Sequence, residues 1–208
     1  MVQPLSLFTE PPRLRALEPA RTLLGPGSWV DRRRGWVAGA DALFSELVEA
    51  HTWHASRRKM YDRVVDVPRL FASVPDDGPG HPLVHAMSVA LAEHYGRDLS
   101  AVALAHYRDG RDSVAFHGDR LGRHRADSVV AIVSLGGPRR FLVRPRGGGR
   151  SQGWMLGSGD LLVMGGRMQA DFEHGVPKMA HAEPRLAVMF RSAAVIPLPD
   201  ESHGSGSP

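Results

Sequence analysis

The chain has 208 residues, enough for one domain with a substantial core and too few for two large ones. Its 42% hydrophobic and 23% charged residues are the composition of a globular protein, and its longest apolar stretch, Val129 to Leu135, is far short of the ~20 residues a membrane-spanning helix needs. The absence of cysteine excludes disulfides, thiolate metal sites and cysteine nucleophiles, while 26 basic against 22 acidic residues leave a formal charge of +4, too modest by itself to specify a polyanionic partner.

The first 25 or so residues hold four prolines and no steady period, so a flexible N-terminal segment is expected over 1–25. They also lack a basic segment followed by an apolar core, which points to no secretory signal and a cytoplasmic location. The run ADALFSELVEA predicts a helix over Ala40–Ala50, with Leu43 and Leu47 on its inward stripe and Asp41 as its cap. A second helix is predicted over Pro82–Tyr95, where Leu83, Met87, Ala90, Leu91 and His94 recur at steps of three and four before Gly96. His81 and His85 lie four apart there, but no catalytic carboxylate accompanies them, so they read as partly exposed helix histidines. From Leu99 the texture becomes short strands between Gly, Pro and charged turns: Ala101–Tyr107, Val129–Leu135, Arg140–Val143, Gly153–Leu156, Asp160–Met164 and Arg185–Phe190. Helices first and strands afterwards give an α+β domain, with helices packed on one face of a β jelly roll or barrel. The domain is expected to span 26–198, with a disordered Gly/Ser-rich tail over 199–208. No oligomerisation surface is legible, and a monomer is the default.

Two observations bear on chemistry. In AFHGDR, His117 and Asp119 stand two apart, and in an extended chain such residues project from one face. His174, in DFEHGVPK, offers a third ligand after several intervening strands. Two histidines and a carboxylate form the facial triad that binds non-haem Fe(II) with open positions. Taken alone the pattern is weak in a chain with 11 histidines, and surface or capping histidines are the plainer reading. The second observation is Arg185–Arg191, whose alternation sets Arg185, Ala187, Met189 and Arg191 on one face and Leu186, Val188 and Phe190 on the other. Two arginines pointing the same way suit bidentate binding of carboxylates. An edge strand with two solvated arginines is the alternative.

These segments together, HYRDG ahead of FHGD, then GSGDLLVMGG, EHGVPK and PRLAVMFR, resemble the AlkB-type Fe(II)- and 2-oxoglutarate-dependent dioxygenases, continuously from about Ala101 to Ser192. The resemblance implies a double-stranded β-helix, a distorted jelly roll with helices on one side. By motif it assigns His117, Asp119 and His174 to the iron, Arg185 and Arg191 to the two carboxylate ends of 2-oxoglutarate, and Tyr107 to a hydrogen bond with that cosubstrate. Ala105 and Ala187 depart from the pattern, standing where the family commonly has Asn. Each loss removes an amide worth roughly 1 kcal/mol of hydrogen bonding to the cosubstrate.

The resemblance further implies a nucleotide lid within about 40–98, ahead of a jelly-roll core over about 99–195. Trp53, Met60 and Tyr61 would supply stacking surface and Arg57, Arg58 and Arg69 cationic contacts. For Trp53 and Tyr61, packing on the helix is the competing reading. Arg120, Arg123 and Arg125 suit phosphate contacts beside the iron as well as they suit a solvated loop. The basic stretch from Arg139 to Arg150 reads as a strand into a Gly-rich hairpin tip, suited to backbone contacts with a nucleic acid. The implied activity, with Fe(II), 2-oxoglutarate and O2, is oxidative demethylation of 1-methyladenine and 3-methylcytosine in single- or double-stranded DNA or in RNA, giving formaldehyde, succinate and CO2. An oxygenase of the same fold acting on a tRNA, a peptide or a small molecule, and a non-catalytic nucleic-acid binder, are the alternatives.

Overall fold

A computed structural model describes residues 10–60, 63–73, 80–119 and 127–193, with backbone alone at 56–60, 63–67 and 73. Along the chain come β1 (Arg13–Leu14), β2 (Ala20–Gly25), β3 (Ser28–Arg33), β4 (Val37–Ala38), α1 (Ala40–Ala50), β5 (His54–Met60), β6 (Arg63–Ser73) and α2 (Pro82–Tyr95). They are followed by β7 (Ala101–Tyr107), β8 (Val114–His117), β9 (Ser128–Gly136), β10 (Arg139–Pro145), β11 (Gln152–Leu156), β12 (Asp160–Gly166), α3 (Met168–Asp171), β13 (Phe172–Val176) and β14 (Arg185–Arg191).

The strands form an eight-stranded antiparallel sheet, ordered β2-β3-β12-β9-β14-β7-β6-β5, and a four-stranded one, ordered β11-β10-β13-β8, besides the short β1-β4 pair. Strand texture follows from this layering. β9 and β12 carry nearly unbroken apolar runs because both their faces are buried, one by the helices and one by the second sheet. β10 alternates instead: Arg139, Phe141 and Val143 are buried and Arg140 is exposed, because the outer face of the smaller sheet is open. Two cores result. Leu43 and Leu47 of α1 and Val84, Met87 and Leu91 of α2 pack on Val133, Leu135, Leu161, Val163, Leu186, Val188 and Phe190. Between the sheets lie Ala105, Tyr107, Ile132, Phe141, Val143, Leu162, Met164 and Ala187. Full burial of each Leu or Val contributes roughly 1.5–3 kcal/mol. The alternation expected in β14 holds, since its even-numbered residues face the helices and its odd-numbered ones the inter-sheet space.

Several expectations need correction. The segment 1–25 gives no strand pattern in sequence, yet β1 and β2 occupy part of its described residues, held by pairing with β4 and β3. Asp41 does not cap α1: Gly39 is the N-cap without a side-chain bond, and Asp41 instead accepts from Ser158 Oγ at 2.7 Å. The buried stripe of α2 runs through Val84 rather than Leu83. The segment read as a lid, in which no strands are expected, contains an antiparallel hairpin, β5–β6, that extends the large sheet beyond β7, a form that a lid can take. Its arginines and lysine mask any apolar period.

Candidate functional site

β8 and β13 are neighbours in the smaller sheet, and their register makes His117 and His174 direct cross-strand partners. Their rings lie 4.4 Å apart, centroid to centroid. Asp119 follows two residues past the end of β8, and its Oδ1 is 4.0 Å from His174 Nε2. One potential ligand atom from each of the three residues falls within 4.8 Å of the others.

His117 Nδ1 lies 2.9 Å from the Ala115 carbonyl, which only accepts, so Nδ1 is the donor there and Nε2 is the nitrogen left to face a cation. Burial lowers His174 to about 4, which keeps this imidazole neutral, and Phe141 stacks on it at 5.5 Å. Burial raises Asp119, but the surrounding His174, Arg191, His117 and Arg69 outweigh it and hold the carboxyl below its usual value, as a carboxylate. Two imidazoles and one carboxylate whose ligand atoms all lie within 4.8 Å of one another fit a divalent first-row metal such as Fe(II).

Beside this cluster the inter-sheet space is lined with arginine. Arg185 is 1% exposed, and burial lowers its pKa. Its Nε donates to Ser134 Oγ at 2.9 Å and its guanidinium lies 5.1 Å from the centre of the Tyr107 ring. Arg69 Nη1 donates to the Tyr107 hydroxyl at 3.0 Å, and its guanidinium stacks 4.5 Å over Phe71. Arg191 stands at the far end of the same face of β14 as Arg185, with its Nε buried and unpaired. Among the described residues none of these three arginines pairs with a carboxylate. A buried guanidinium without an anion is costly, so Arg185, with Arg191 along the same strand face, suits a small ligand that carries negative charge.

The two alanines that depart from the family pattern prove to be a pair. Ala105 on β7 and Ala187 on β14 are cross-strand partners, and Ser134 on β9 is the next residue in the same row. The lost amides thus face each other across one ladder, and the hydroxyl of Ser134 is the polar group that remains beside them, holding Arg185. Sequence reasoning missed Ser134, whose one signal is being a hydroxyl in the interior of an otherwise apolar strand. It also missed Gln169, whose Oε1 accepts from the Asp119 N–H at 2.9 Å.

Of the residues expected to contact substrate, Arg69 reaches the site and Trp53 does not. Trp53 packs 5.1 Å from His106 and donates from Nε1 to the Val48 carbonyl at 3.0 Å, within the helix-side core. Alternation along β7 sends His106 to the helix side and Tyr107 to the site, so Trp53 lies on the opposite face of the sheet. Arg139, read as part of a nucleic-acid-binding stretch, points inward beneath Tyr107 and donates to the carbonyls of Asp109 and Asp112. Its work is to brace that loop. Tyr61, Arg120, Arg123, Arg125 and the side chains of Arg57, Arg58 and Met60 lie outside the described residues.

The family model described as 2OG-Fe(II) oxygenase superfamily matches residues 40–195. The chain belongs to this superfamily. Within it, this oxygenase is 29% identical over 209 residues to alpha-ketoglutarate-dependent dioxygenase alkB homolog 3 of Bos taurus, covering 88% of this chain and 69% of that protein. It is 26% identical over 179 residues to DNA oxidative demethylase ALKBH2 of Mus musculus, covering 74% of this chain and 75% of that protein. It spans about two thirds of the length of the alkB homolog 3 proteins of Bos taurus and Homo sapiens, 69% and 66%. Among solved structures, OsALKBH1 shares the fold at a TM-score of 0.58 and 16% identity, covering 83% of this chain and all of that one. A Trichoplax adhaerens prolyl hydroxylase shares it at 0.58 and 10%, covering 78% of this chain and 82% of that one. Membership of this superfamily makes the protein a dioxygenase that uses Fe(II), 2-oxoglutarate and O2, similar to the AlkB homologues.

Proposed function

We propose that this oxygenase removes N-methyl groups from alkylated bases, 1-methyladenine and 3-methylcytosine, in DNA or RNA, with His117, Asp119 and His174 as iron ligands and Tyr107, Arg185 and Arg191 as the cosubstrate site. The observation that carries the reading is the pairing of the His/Asp/His cluster with carboxylate-free arginines in one inter-sheet space. Similarity to a protein named DNA oxidative demethylase supports the choice of substrate.

Bound Fe(II), with 2-oxoglutarate and O2, supplies an oxidation that turns the N-methyl carbon into a hydroxymethyl group lost as formaldehyde, while 2-oxoglutarate leaves as succinate and CO2. What the chain supplies is placement. Ser134 occupies the Nε of Arg185 and so leaves the outer edge of the guanidinium to receive a carboxylate in bidentate fashion. Tyr107, whose hydroxyl already accepts from Arg69, has its own proton to donate toward the cosubstrate. Asp119 and the two imidazoles would hold the metal through three ligand atoms, the 2-His-1-carboxylate set suited to non-haem Fe(II). A methyl on the pairing edge weakens pairing, so extruding such a base into the site costs less than extruding a normal one.

The assignment is tested by His117→Ala and Asp119→Ala. Both should lose turnover by more than a hundredfold while the metal-free proteins keep the far-UV circular dichroism and melting temperature of the parent. Turnover within a few-fold of the parent in either variant removes the ligand assignment.

A further inference from the structure

The two histidines of the cluster are positioned by a β ladder, since His117 and His174 face each other across β8 and β13. Asp119 is not. It lies past the end of β8, and among the described residues its carboxylate accepts no hydrogen bond. Its aim is then set through its backbone, which among the described residues has one side-chain anchor: its N–H donates to Gln169 Oε1 at 2.9 Å. Gln169 sits in α3, fifty positions away, and is 1% exposed.

Gln169 is itself held. Its Nε2 reaches Met164 Sδ at 3.8 Å, and its own carbonyl accepts from Arg146 Nη2 at 3.0 Å, while Arg146 Nε donates to the Ala170 carbonyl at 2.9 Å. Arg146 also closes the assembly from the other side. A Cβ on Gly118, between the two ligands, would lie 2.5 Å from Arg146 Nη2, so the bare backbone there is what lets the guanidinium approach. The glycine, the arginine and the glutamine lock the short segment that carries the carboxylate.

We infer that Gln169 is a positioning residue for the metal centre, setting the aim of Asp119 through its backbone N–H, with Arg146 holding Gln169 in place. This rests on the reading of His117, Asp119 and His174 as the metal site. Groups that orient ligands from outside the coordination sphere typically change metal affinity by about 10- to 100-fold when removed. Gln169→Met keeps the length and removes the acceptor; Gln169→Glu keeps an acceptor oxygen at the same reach.

The experiment is titration of the full-length, metal-free protein with Mn(II) alone, alongside Co(II) visible spectra and melting of the metal-free forms. The parent should bind and His174→Ala should not; binding that survives His174→Ala overturns the metal-site reading, separately from the role of Gln169. Gln169→Met should raise the Mn(II) dissociation constant about tenfold or more and alter the Co(II) spectrum. Gln169→Glu should stay within about threefold of the parent. If Gln169→Met fails to fold, Arg146→Gln, which leaves the acceptor and all three ligands intact, should raise the constant about threefold. An unchanged constant in folded Gln169→Met, or in Arg146→Gln where Gln169→Met does not fold, overturns the inference. So does an equal rise in Gln169→Met and Gln169→Glu, because the acceptor would then be irrelevant.

Discussion

At the scale of single residues, Ser134 and Arg185 divide one task. Arg185 supplies charge, and Ser134, through a 2.9 Å hydrogen bond to its Nε, decides which edge of the guanidinium is offered. Ser134→Ala should raise the half-saturating 2-oxoglutarate concentration about fivefold, the equivalent of roughly 1 kcal/mol of hydrogen bonding, and Arg191→Ala should raise it about 10- to 100-fold because a charged contact is lost. Steady-state titration of the cosubstrate reads both; an unchanged requirement in Arg191→Ala would show that the second clamp lies elsewhere. Titration of buried histidines governs stability in the same way. Burial holds His106 below its ordinary 6.5 and His174 at about 4, and both ring nitrogens of His106 lack a partner. Such imidazoles bind protons more readily when unfolded, so the metal-free protein should be most stable above about pH 6.5 and lose stability as pH falls from there toward 4. His106→Phe, which fits beside Phe44 and Trp53, should flatten that loss in chemical unfolding across this window. An identical slope in the variant would assign the loss to other groups.

At the scale of elements, the face a residue occupies decides its role. Trp53 belongs to the helix-side core, so Trp53→Ala should cost about 3–5 kcal/mol of stability while leaving kcat/KM for a methylated oligonucleotide within a few-fold at temperatures where the protein is folded. A large loss of kcat/KM in folded Trp53→Ala would restore it to the substrate site. Close approach matters equally in β12, where the Trp29 ring lies flat on Gly165 and any Cβ would collide with it. Such features mark where the sequence is and is not legible. The helices α1 and α2 and the strands β7, β9, β10, β11, β12 and β14 announce themselves by periodic or continuous apolar runs, whereas the four-residue α3 does not. β8 and β13 are only four and five residues long, and in VAFH and FEHGV a histidine stands among the inward residues Val114, Phe172 and Val176, so neither shows an apolar period. The ligands themselves are legible because chemistry fixes their type and spacing. Ser134 and Gln169 are not, because each meets its partner across about fifty positions of chain and carries no local pattern.

At the scale of the whole molecule, the layering explains how one inter-sheet space comes to hold both the His/Asp/His cluster and the arginines proposed as a carboxylate clamp. The larger sheet contributes Arg69, Tyr107, Arg185 and Arg191, and the smaller contributes His117 and His174, so the site exists only where the two sheets face each other. The chain has an excess of basic residues, and binding to a methylated oligonucleotide should weaken steadily as salt rises, as counterion release requires. The decisive measurement is reconstitution with Fe(II) under anaerobic conditions, followed by air, 2-oxoglutarate and a single-stranded oligonucleotide bearing one 1-methyladenine or 3-methylcytosine, with His117→Ala as the blank. We expect succinate and formaldehyde to form in step with loss of the methyl group from the oligonucleotide. Succinate formed while the methylated base persists would contradict the proposed substrate, and absence of both products would contradict the proposed activity.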